Sequence, residues 1–77
     1  MQVKVKLLGI LSFTYPAFSK FRYVEIEKGE TVRDLQERLG LSVNEVHFIS
    51  VNGKMVEEDY VLSDKDEVIF FPNVSGG

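Results

Sequence analysis

The chain contains no cysteine. That excludes a disulfide framework, a cysteine nucleophile and a persulfide carried on a side chain. Histidine is nearly as scarce. His47 stands alone, and the acidic residues lack ligand spacing, so no metal site is expected. No apolar run approaches the ~20 residues that cross a bilayer. Met1 leads straight into a strand-like pattern rather than a signal peptide, and the expected compartment is the cytoplasm. Cations are in the minority. Nine Lys and Arg against twelve Asp and Glu leave a net charge of −3, which argues against nucleic acid as the main partner.

What remains is the composition of a small globular domain. At 77 residues, 44% apolar and 27% charged, the chain has room for one domain and is too apolar for disorder. A domain this short buries only ~60% of its unfolded surface, so a single layer of helix on sheet is expected. Charge is unevenly placed. Between Glu57 and Glu67 six acids face the single base Lys65, which reads either as a solvated loop face or as an acidic patch that steers a basic partner.

Residues 2–8 alternate as a half-buried strand, with Val3, Val5 and Leu7 on one face and Gln2, Lys4, Lys6 and Leu8 on the other. Gly9 and Pro16 punctuate 9–21, which reads as a loop folding back over the domain, its Phe13, Tyr15, Phe18 and Phe21 serving as core packing, which so small a domain favours, or else as an interface. A strand follows at 22–27. Thr31 then caps the one convincing helix, with Asp34 three residues on, an apolar stripe at Val32, Leu35 and Leu39, and Gly40 at its end. Ser42 to Glu45 repeats the capping pattern for a single turn. Residues 47–51 form a strand, Asn52-Gly53 a hairpin turn and nothing more, and 54–56 the return. Leu62 plugs the core, and residues 67–71 make the last strand, whose pairing Pro72 ends because it has no N–H.

The predicted order is β-β-α-β-(β)-β. One helix must cover a mixed sheet of four or five strands, with the nearly continuous apolar strand at 68–71 placed in parallel beside the first. That is an α+β architecture, the β-grasp. Residues 1–72 form the expected domain and 73–77 a flexible Gly-Gly tail. On the sheet face away from the helix, Leu8, Met55, Ile69 and Phe71 form either a partner surface or packing beneath the 9–21 loop.

The segment Asp66-Glu67-Val68-Ile69-Phe70-Phe71-Pro72-Asn73-Val74-Ser75-Gly76-Gly77 closely resembles the C-terminus of the small subunit of molybdopterin synthase, a ubiquitin-like sulfur carrier. Val51-Asn52 before the hairpin turn and Leu62-Ser63-Asp64 before the last strand resemble that family too. Two features depart from its pattern: Asn73 replaces the tail's second proline, and the aromatic segment Leu11 to Phe21 stands where an arginine-containing helical turn is usual.

The resemblance implies a carrier with no catalytic side chains. An E1-like adenylyltransferase would use ATP to adenylate the carboxylate of Gly77, and sulfur would displace AMP to leave a thiocarboxylate. Gly76, Ser75 and Val74 would thread a partner's narrow channel, since glycine has no Cβ to obstruct it. Six residues from Pro72 reach up to ~20 Å. No cofactor would be bound by the chain itself. The implied partners are the E1-like enzyme and the molybdopterin synthase large subunit, which would hold the active site of a possible heterotetramer. A carrier for thiamine or tRNA thiolation, a protein modifier joined to lysine through Gly77, and a plain interaction domain with incidental glycines are the alternatives.

Overall fold

The computed structural model describes residues Met1–Asn73. Five strands form one mixed sheet: β1 (Gln2–Leu7), β2 (Arg22–Glu25), β3 (Val46–Val51), β4 (Lys54–Val56) and β5 (Glu67–Pro72), in the spatial order β2-β1-β5-β3-β4. β5 runs parallel to β1 and antiparallel to β3, so the two termini of the fold occupy neighbouring central strands. The β-grasp expected from the alternation pattern is the architecture found.

One helix, α2 (Val32–Leu39), covers the sheet. Its start is fixed by a reciprocal capping box. The Thr31 side chain accepts from the Asp34 N–H, and the Asp34 carboxylate accepts from the Thr31 N–H. Gly40 ends it at φ 75°, a left-handed conformation that favours glycine. Val32 and Leu35 bury against Val3, Val5, Leu7, Val68 and Phe70, all at 1% exposure or less. Leu62, 2% exposed, fills the core as expected.

A second element was not expected. Residues 9–21 contain a one-turn helix, α1 (Ile10–Thr14), followed by a 3₁₀ turn over Pro16–Phe18. Pro16 starts that turn rather than breaking structure, because the first residue of a helical turn needs no N–H. Leu11 inserts into the core, with Tyr15 and Phe18 packed against it. The segment therefore lies against the helix-side core and does not roof the opposite sheet face. Phe13 and Phe21 correct the packing expectation: they are 80% and 41% exposed.

Glu30 ties the turn before α2 to the helix. Its side chain is 4% exposed and accepts two bonds from Arg38, at 2.8 and 2.9 Å, plus the Glu27 N–H at 2.9 Å. Arg38, itself exposed, thus serves a buried partner. The Arg38 hydrogen bonds hold the Glu30 carboxyl below its ordinary 4.5, against the opposing effect of burial.

Candidate functional site

The outer face of the sheet is built by register. Lys6 pairs with Ile69 across β1 and β5, and Ser50 pairs with both Ile69 and Met55. Leu8, immediately after β1, continues the row that Phe71 and Phe48 occupy on β5 and β3. Leu8, Ile69, Phe71 and Met55 therefore share the face away from α2, and none belongs to the buried core. Leu8, Ile69 and Phe71 are half-buried, while Met55, beyond the small Ser50, is 65% exposed.

Phe48 belongs with them and was not anticipated. Its ring stacks on Phe71 with centroids 4.3 Å apart and planes at 20°, the offset arrangement aromatic pairs prefer. Alternation with the buried Ile49 and Val51 places it on this face; the register with β5 is regular from Phe48 to Val51 and shifts only before it, between Val46 and Phe48. His47, read as a plain strand residue, is exposed at this irregularity and meets Phe48 edge-on at 5.1 Å.

At the end of this face the last described residues, Pro72 and Asn73, are held from two sides. Gly9 approaches Pro72 so closely that a β-carbon on Gly9 would lie 2.9 Å from the proline Cγ. On the other side the Asn73 N–H donates to the Glu45 carbonyl at 2.9 Å, and its side-chain amide donates to the Asn44 carbonyl at 3.3 Å. Pairing thus continues one residue past Pro72, contrary to the expected end there. A proline at 73 would lack both donors. The 42–45 turn is fixed in its turn. The Glu45 carboxylate accepts from the Ser42 N–H and from the Tyr15 hydroxyl, both at 2.9 Å. That bond is the main reason the Tyr15 phenol is raised above its ordinary 10.0.

Asn52 does more than turn the β3–β4 hairpin. Its amide donates to the buried Asp66 at 2.8 Å and accepts from the Glu67 N–H at 2.9 Å, locking the hairpin to the start of β5. Asp66 also accepts from the Ser63 N–H at 2.8 Å. The other acidic residues of the 57–67 segment, Glu57, Glu58, Asp59, Asp64 and Glu67, are exposed or half-buried.

Among the described residues, no group of three or more His, Asp or Glu side chains is disposed to hold a metal. Two of the hollows on the surface, of about 330 and 350 Å³, adjoin the Lys28-Gly29 turn, at the opposite end of the sheet from Pro72. Among the described residues, no helix is long and apolar enough to cross a membrane. The residues predicted to carry the chemistry, Val74, Ser75, Gly76 and Gly77, lie outside the described residues. What the fold supplies is a fixed root for them beside an apolar face.

This architecture recurs in solved proteins. SAMP1 from Haloferax volcanii superimposes with a TM-score of 0.77 over the full length of both chains, at 22% identity. The Haloferax volcanii HVO 2177 protein gives 0.81 at 21% identity, covering 100% of this chain and 87% of its own. A Pyrococcus furiosus protein assigned as molybdopterin converting factor subunit 1 gives 0.72 at 30% identity, covering 96% of this chain and 99% of its own. No curated protein sequence matches. The ThiS family model matches residues 15–77. The chain belongs to the ThiS family, the ubiquitin-like sulfur carriers.

Proposed function

We propose that the chain carries sulfur as a thiocarboxylate on Gly77 and delivers it in molybdopterin synthesis, as the small subunit of a molybdopterin synthase. The reading is supported most by the 30% identity, across nearly all of both chains, to the Pyrococcus furiosus protein assigned as molybdopterin converting factor subunit 1. A carboxylate is a poor electrophile until activated. The Gly77 carboxylate attacks the α-phosphorus of ATP in an E1-like enzyme, and pyrophosphate leaves. A sulfur nucleophile then adds to the acyl carbon and AMP departs, leaving –C(O)S⁻. The chain contributes reach and docking, and the chemistry occurs in its partners. Phe71, Leu8, Met55 and Ile69, with Phe48, form the face on which the large subunit seats, within a heterotetramer, while Val74, Ser75 and Gly76 lead Gly77 into its active site. The setting is cytoplasmic.

Conjugation of Gly77 to lysine is a second reading, favoured by the full-length likeness to small archaeal modifier protein 1. Delivery to thiamine or tRNA thiolation uses the same activated tail. Deletion of Gly77 tests the group together. The shortened chain should keep its melting temperature and lose all function in cells. Retained function would leave a plain interaction domain.

A further inference from the structure

The α1 turn carries two large apolar side chains into solvent. Ile10 is 62% exposed and Phe13 80% exposed, and their spacing of three residues sets them on one side of the turn while Leu11 is buried. A domain this small has few large apolar side chains to bury, yet leaves this pair bare. The segment around them is also stripped of charge. From Leu7 to Ser19 there is no Asp, Glu, Lys, Arg or His, in a chain that is 27% charged. Charge depletion around exposed aromatic and aliphatic side chains is the composition of an interface centre.

Its position identifies the occupant. Ile10 follows Gly9, which touches Pro72, so the turn stands beside the root of the tail. Asn73 is tied to the 44–45 turn, and four residues, Val74 to Gly77, follow it in the sequence. Four residues span at most ~14 Å. A protein that acts on the Gly77 carboxylate must bring its own surface within that distance of Asn73, next to the Gly9–Pro72 contact from which the Ile10–Thr14 turn starts. The surface is also continuous along the chain with the sheet face, through Leu8 and Gly9.

We propose that Ile10 and Phe13 form a docking surface for the ATP-using enzyme that activates Gly77. This rests on Gly77 being the reacting terminus. It holds for sulfur transfer and for conjugation alike, because both begin with that activation.

The test is ATP–pyrophosphate exchange by the cell's own adenylating enzyme as the concentration of this chain is varied. The Ile10→Ser/Phe13→Ser chain should raise KM tenfold or more with kcat little changed. Val61→Ser, which removes another exposed side chain at the far end of the sheet, should leave both alone. Thermal melting accompanies each variant. If the double variant unfolds, the single Phe13→Ser chain, altered at its most exposed aromatic residue, should still raise KM severalfold. A KM within twofold of wild type in a folded variant would overturn the docking surface alone. Failure of the wild-type chain to support any exchange would overturn the activation reading and this occupant with it.

Discussion

Gly9 and Pro72 meet where the parallel strands β1 and β5 end, and only the absence of a side chain on Gly9 lets them. Gly9 sits at φ 56° and ψ −136°, a conformation other residues rarely adopt, and the Pro72 ring fills the space its β-carbon would need. One contact thereby fixes both the start of α1 and the end of β5.

Gly9→Ala should cost about 1–3 kcal/mol for the backbone conformation alone, with a further loss from displacing the ring. The melting temperature should fall by roughly 10 °C, at about 4–8 °C per kcal/mol in a domain of this size. Pro72→Ala removes the clashing carbon, so Gly9→Ala should cost less in that background. Equal costs in the two backgrounds would show that the ring contact adds nothing.

Adjacent phenylalanines on β5 should respond differently. Phe70 is 0% exposed in the core, and Phe70→Ala should cost about 3–5 kcal/mol in urea unfolding. Phe71 is half-buried against Phe48, so Phe71→Ala should cost about 1 kcal/mol while weakening partner binding tenfold or more. A loss at Phe71 as large as that at Phe70 would make it a core residue.

Glu30 gives stability a defined pH dependence. Its carboxyl is held below its ordinary, unfolded value when folded, chiefly by the hydrogen bonds from Arg38. A lowered folded value contributes stability above the unfolded one, lost as pH falls through the folded one. Glu30→Gln should therefore cost about 2 kcal/mol at pH 7 and progressively less below pH ~4. Asp34 is lowered too, mainly by its backbone bond to Thr31. The difference between wild type and variant, measured by urea midpoints at pH 7 and pH 3, isolates Glu30. A difference independent of pH would contradict the assignment.

The legible parts of the fold were those whose signals are local. Thr31, Asp34 and Gly40 cap α2 within a few residues of the stripe they serve, and the β1 alternation is unbroken from Val3 to Leu7. α1 was illegible because it has no polar cap and no acidic first turn. It is held by burial of Leu11 and by the bond from Tyr15 to Glu45, thirty residues away. Phe48 was legible by the β1 rule: Ile49 and Val51 turn into the core, so Phe48 and Ser50 fall on the opposite face, and the irregularity at His47 lies outside that run. Asn52 carries a turn signal so strong that its second task, gripping Asp66 and Glu67, leaves no separate trace in the sequence. Of the candidate site, Leu8, Ile69 and Phe71 follow from alternation and Met55 from its place after the Asn52-Gly53 turn, while the two-sided hold on Pro72 and Asn73 depends on contacts distant in sequence.

The central claim is that sulfur rides on the carbonyl of Gly77. The most direct measurement is the intact mass of the protein purified from its own cells, with fragmentation of its C-terminal peptide. The account predicts a population heavier by one oxygen-to-sulfur exchange, localised to Gly77. A mass that stays unmodified in the cell, and also with ATP, a sulfur source and the adenylating enzyme supplied, would contradict it.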